Sequence, residues 1–125
     1  MKTSGIASLL IAGALALAGQ SALAQDAAKG EKVYKKCKAC HALEAGKNKV
    51  GPTLAGVFGR KAGGVEGFKY SKAMAESGIV WDDKTMDAFL AKPKEVVPKS
   101  RMAFPGLKKE ADRANVIAYM KEAGK

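Results

Sequence analysis

The sequence predicts a small all-α domain whose short helices are held apart by long loops. No segment alternates polar and apolar residues with period 2. Segments that do carry apolar periodicity repeat it at i, i+3, i+4 behind residues suited to helix caps, whereas residues 46–67 are rich in Gly and follow neither period. The chain has 125 residues, 47% hydrophobic and 27% charged, a length for one domain and too apolar for a disordered chain. Only 6% of it is aromatic. Separated short helices with few aromatics make a thin core, and long structureless loops are unusual in a compact domain. A large bound group in the middle would resolve both difficulties.

Taken in order, the first element lies outside the domain. Residues 5–18 (GIASLLIAGALALA) form an uncharged run behind Met1-Lys2-Thr3-Ser4, and Ala22-Leu23-Ala24 follows. A basic start, a short apolar stretch and an A-x-A end predict a secretory signal peptide over 1–24, cleaved after Ala24. A retained membrane anchor is the alternative, but a spanning helix needs about 20 apolar residues and Gln20 and Ser21 interrupt the run. No Cys near the junction suggests a lipid anchor. The single domain is then 25–125. Asp26 caps a helix over 27–36 with Gly30, Val33 and Tyr34 on one face. The loop 46–67 follows, then a short helix over 71–77 closed by Gly78. Asp82 caps a helix through Ala91, with Met86, Phe89 and Leu90 inward and Pro93 stopping it. The last helix spans 110–123, with Val116, Ile117, Tyr119 and Met120 as its stripe and Gly124 beyond its end.

Lys+Arg number 22 against 12 Asp+Glu, a formal charge of +10 and a pI near 9.7. The leader takes one lysine and no acid with it. This excess predicts acidic partners. Export, and basic residues not interleaved with aromatics, argue against nucleic acid and leave a protein or lipid surface.

Both cysteines and the only histidine fall within Cys37-Lys38-Ala39-Cys40-His41. A C-x-x-C-H run is the attachment pattern of covalent haem: two thiols on neighbouring turns form thioethers with its two vinyl groups, and the next residue offers an imidazole to the iron. Other readings stay open. A redox-active dithiol prefers a strand-to-helix context that is missing here, a structural disulfide leaves His41 unexplained, and zinc finds at most three ligands. For a second axial ligand, Met, Lys, Tyr, Cys or an open position remain. Met74, Met86 and Met120 fall in helical segments, where packing explains them. Met102 lies between Pro98 and Pro105 on an irregular loop far downstream of the motif, placed to reach the opposite face.

The stretches CKACH, GPTLAGVFGRKAG, GFKYSKA, GIVW and FLAKPKEVVPKSRMAFPGLKK through RANVIAYMK resemble class I c-type cytochromes, nearest the small bacterial carriers that are counterparts of mitochondrial cytochrome c. The resemblance implies a cytochrome c fold: N- and C-terminal helices crossing, short middle helices, and long loops wrapped around one haem. It implies haem c held by Cys37 and Cys40, with His41 and Met102 as the metal ligands and the Pro52 carbonyl on the other ring nitrogen. Arg60, Tyr70, Trp81 and Ser100 match positions around the haem propionates. Gly30 and Tyr34 match a close helix crossing against Val116 and Tyr119. Phe89, Met74 and Asn48 depart from the usual Tyr, Asn and His.

With both axial positions filled by protein there is no vacancy for substrate, so the resemblance implies a periplasmic one-electron carrier and not an enzyme. A haem enzyme such as a peroxidase is the competing class, and no acid–base His remains for it. Implied partners are a cytochrome bc-type complex as donor and a terminal oxidase or photosynthetic reaction centre as acceptor, met by a monomer through acidic protein surfaces. Lys36, Lys38, Lys49, Lys94, Lys99, Arg101, Lys108 and Lys109 flank the haem motif or the methionine loop. In relatives, lysines at the places of Glu95 and Arg101 replace Met as ligand at alkaline pH. Here Lys94 and Lys99 are the remaining local amines.

Overall fold

A computed structural model describes residues 25–125; the signal-peptide reading falls on residues outside these. The described residues fold into five helices in the order α1 (Ala27–Tyr34), α2 (Lys72–Ala75), α3 (Asp83–Ala91), α4 (Pro93–Val96) and α5 (Glu110–Ala123). Among the described residues none is long and apolar enough to cross a membrane.

The α1 helix begins where Asp26 accepts from the Lys29 N–H at 3.1 Å, meeting one of the unpaired donors of a helix start. It stops at Tyr34, two residues short of the expected end. Lys36 N–H turns to Val33 O at 3.1 Å and Cys37 N–H to Tyr34 O at 2.8 Å, so bonding slips from i−4 to i−3 at these residues, while Lys38 N–H returns to Tyr34 O at 3.0 Å; the turns that follow carry the cysteines. In α2, Ser71 caps the Met74 N–H at 3.1 Å. The segment expected over 71–77 shrinks because the Ser77 hydroxyl takes the Met74 carbonyl at 2.9 Å, diverting the chain before Gly78.

The α3 helix fits the expectation, with Met86, Phe89 and Leu90 buried and a reciprocal capping box between Asp82 and Thr85. Pro93 does stop it, but it also opens α4, an element the sequence reading lacked: proline at the first helical position has no N–H to waste. The α5 bounds agree with the expected ones, and Val116, Ile117 and Met120 are buried on its stripe.

The main helix packing is α1 on α5, with α3 against α5 and α4. Gly30 makes the crossing possible: a Cβ there would run into the Asn115 carbonyl and lie 2.8 Å from Tyr119 Cβ. Asn115, polar yet buried, takes the Asp26 N–H at 2.9 Å and so fastens the start of α1 to α5. Arg113 ties α5 to α3 through Asp87 at 2.7 Å and to the preceding loop through Leu107 O at 2.9 Å. Beside the crossing runs an open groove lined by Gln25, Asp26, Glu31, Tyr119, Glu122 and Ala123.

The long loop is organised by backbone pairing. Residues 59–62 run antiparallel to 79–81, with Ala62 N–H on Ile79 O at 2.7 Å and Trp81 N–H on Arg60 O at 2.9 Å. This extended contact, centred on the Lys61–Val80 bridge, is too short to alternate visibly in sequence.

Candidate functional site

The turns after α1 set out the C-x-x-C-H residues. Cys40 N–H bonds Cys37 O at 3.0 Å and His41 N–H bonds the same carbonyl at 2.9 Å, so both cysteines and the histidine are presented from one tight coil. Cys37 and Cys40 are free thiols, the first half-buried and the second exposed. Burial, and secondarily Cys40, push the Cys37 thiol up to about 11 against the pull of Lys36. A thiol held protonated is the reverse of the low-pKa nucleophile of dithiol exchange. No three His, Cys, Asp or Glu side chains converge as a metal cluster among the described residues.

His41 Nδ1 lies 2.8 Å from the Pro52 carbonyl oxygen. A carbonyl only accepts, so Nδ1 carries the proton and Nε2 keeps its lone pair. Burial lowers the His41 pKa below the ordinary imidazole value; the Pro52 bond opposes this, while Lys49 and Arg60 reinforce it. The ring is therefore neutral at pH 7 and able to ligate. Its flank is closed by backbone: a Cβ at Gly51 would lie 2.7 Å from Nδ1 and 2.8 Å from Nε2.

Met102 is half-buried and packs against the core. Its loop is shaped by Ser100, itself buried, whose hydroxyl accepts the Met102 N–H at 3.3 Å. Lys99 takes the left-handed conformation there with φ 65°, and Lys94 Nζ donates to Ser100 O at 3.2 Å. Arg60 spans two carbonyls of the loop, Ala55 O at 3.2 Å and Thr53 O at 2.8 Å, and burial lowers its pKa. Tyr70 accepts from Val65 N–H at 3.0 Å and meets Phe68 edge-on at 4.8 Å. Trp81 is buried against Phe89 at 5.1 Å.

Sequence reasoning missed the polar frame beneath His41. Thr53 follows Pro52, is buried, and sends its hydroxyl to Glu44 O at 2.6 Å. Asn48 Oδ1 accepts the Thr53 N–H at 3.0 Å. Lys49 Nζ reaches Lys38 O at 2.8 Å, closing the segment over the motif. The signal lay in the polar residues clustered around Gly51-Pro52, although their partners are backbone atoms that no spacing reveals.

The basic residues flanking the motif and the methionine loop are all exposed. None shares an ion pair among the described residues. The recorded pairs use Lys47 with Glu44, Lys92 with Glu95, Arg113 with Asp87, and Lys121 with Asp83.

Two free thiols, a bare imidazole nitrogen fixed by a carbonyl and a thioether on a braced loop are a donor set that fits a covalently held haem. The family described as Cytochrome c matches residues 27–124. Cytochrome c2 iso-2 of Magnetospirillum fulvum is 60% identical over 85 residues, covering 68% of this chain and 88% of that protein. Cytochrome c-554 of Methylosinus trichosporium is 45% identical over 126 residues, 99% of this chain and 96% of the relative. Among solved structures, cytochrome cH from Methylobacterium extorquens is similar with a TM-score of 0.74 at 48% identity, covering 78% of this chain and 98% of that one. The chain belongs to the cytochrome c family, as a class I c-type cytochrome. It is a haem-containing electron carrier, not an enzyme.

Proposed function

We propose that the chain is exported, cleaved after Ala24 and retained in the periplasm as a monomeric carrier over 25–125. It takes electrons from a cytochrome bc-type complex and passes them to a terminal oxidase or a photosynthetic reaction centre, in a respiratory or photosynthetic chain. Cys37 and Cys40 would hold one haem c and His41 and Met102 would ligate its iron, which would supply one-electron redox chemistry. The observation that carries this reading is the His41–Pro52 hydrogen bond of 2.8 Å, which leaves one ring nitrogen free and fixes where it points.

The remaining work belongs to the chain. Cys37 and Cys40 keep the group from being lost outside the cytoplasm. Met102, a soft neutral donor, favours the reduced iron. Arg60, Tyr70, Trp81 and Ser100 would line the propionates. Arg60 spends two of its donors on carbonyls and has others for a carboxylate. The unpaired lysines and arginine steer the exposed edge onto acidic partners in brief, salt-sensitive encounters.

Absorbance of the exported, haem-loaded protein in both redox states tests this reading. Reversible reduction and a methionine–iron charge-transfer band in the oxidised protein are expected, the band vanishing in Met102→Ala. A wild-type protein without the band overturns the Met102 assignment, and a mass for the intact chain that retains residues 1–24 overturns the cleavage.

A further inference from the structure

A single peptide unit stands between His41 and its supporting loop. Its carbonyl, from Pro52, accepts the His41 Nδ1 proton at 2.8 Å. Its N–H, from Thr53, donates to Asn48 Oδ1 at 3.0 Å. Asn48 is anchored in turn by its Nδ2, which donates to Glu66 O at 3.5 Å across to the Gly-rich loop.

The backbone here has other fixings. Gly51 N–H bonds Cys40 O at 2.8 Å and Leu54 N–H bonds Ala42 O at 2.9 Å, while the Thr53 hydroxyl holds Glu44 O at 2.6 Å. These bonds hold the backbone on both sides of the peptide without Asn48. A peptide is a conjugated group: an acceptor on its N–H moves electron density onto its oxygen, and serial hydrogen bonds polarise one another. A richer Pro52 oxygen takes the Nδ1 proton more strongly and raises the basicity of Nε2.

We propose that Asn48 is a positioning residue for His41, setting the donor strength of Nε2 through the shared Pro52–Thr53 peptide and thereby lowering the reduction potential of the bound haem. The proposal rests on His41 being an axial ligand. A stronger imidazole donor favours the oxidised iron, so losing Asn48 should raise the potential.

The test uses the haem-loaded protein with Asn48→Leu, Asn48→Asp and Asn48→His, each followed by redox titration and by the proton resonance of the His41 ring N–H in the reduced state. Asn48→Leu should raise the potential and move that resonance upfield, as the hydrogen bond weakens. Asn48→Asp keeps the acceptor and loses the donor to Glu66, so the resonance should stay at the wild-type position or move downfield. Asn48→His at pH 8 offers a ring nitrogen to Thr53 and should restore both readings. A fall in thermal stability with potential and resonance unchanged would overturn the proposal and leave Asn48 a loop brace. If Asn48→Leu does not load haem, an upfield resonance in Asn48→Asp overturns it equally. A wild-type protein whose haem iron lacks an imidazole ligand would instead overturn the functional reading.

Discussion

At the residue scale the site is limited by space as much as by chemistry. Gly51 lies flat on the His41 ring, so Gly51→Ala must push the imidazole or the loop aside. Overpacking of this kind costs about 1–3 kcal/mol. A lower denaturation midpoint and a reduced fraction of covalently loaded haem are the expected outcomes. The lysines near Met102 set a second expectation. Glu95 carries no amine, Arg101 offers a guanidinium instead, and of the two local amines Lys94 is engaged with the Ser100 carbonyl, which leaves Lys99. The methionine band should therefore persist to higher pH than is usual in the family, and an alkaline titration that loses it early refutes this. The motif residues stand out in the sequence because both cysteines and the sole histidine sit together, and Met102 stands out because two prolines exclude a helix around it. Asn48, Thr53 and Lys49 were not legible as a frame: their partners are carbonyls and amides brought near by folding.

At the scale of elements, helix starts explain what could be read. Asp82 and Thr85 close α3 on themselves, and the Thr85 N–H and hydroxyl hold the Asp82 carboxylate below its ordinary pKa. A depressed carboxylate pKa contributes stability that is present above the unfolded value of about 3.9 and is lost as pH falls through the folded one. Asp82→Ala should thus melt lower at pH 7 and show a shallower decline of Tm on acidification than the parent. The α1–α5 crossing makes its own prediction. Gly30→Ala places a methyl group against the Asn115 backbone and should cost about 1–3 kcal/mol, read as a lower urea midpoint, with the haem spectrum retained at low denaturant. Bounds of α3 and α5 were legible because caps and apolar stripes agree along one stretch of chain. The end of α1 and the pairing of 59–62 with 79–81 were not, since a slip from i−4 to i−3 bonding and a few extended residues leave no period. Asn115 escaped notice for a related reason: its burial depends on the Asp26 N–H at the far end of the sequence.

For the molecule as a whole, charge and connectivity matter most. Cations flanking the motif lack intramolecular ion pairs among the described residues, while Arg113 and Lys121 are matched to acids on α3. Uncompensated exposed charge acts on approach, over a Debye length of about 8 Å at physiological salt. Second-order rates with a membrane redox partner should fall as ionic strength rises, and Lys38→Gln with Lys108→Gln should flatten that dependence in stopped-flow measurements. The fold class was legible at this scale because helices so short, with loops so long, need a non-protein centre.

The fastening of α1 to α5 has a topological consequence. Gln25 and Ala123 line the same groove, so the described residues begin and finish on one side of the molecule. Joining the ends by a short linker should leave the crossing intact. New ends cut into the exposed turn at 45–47 would then give a circular permutant in which the cysteine pair lies near the carboxyl end, yet the same fold surrounds the same centre.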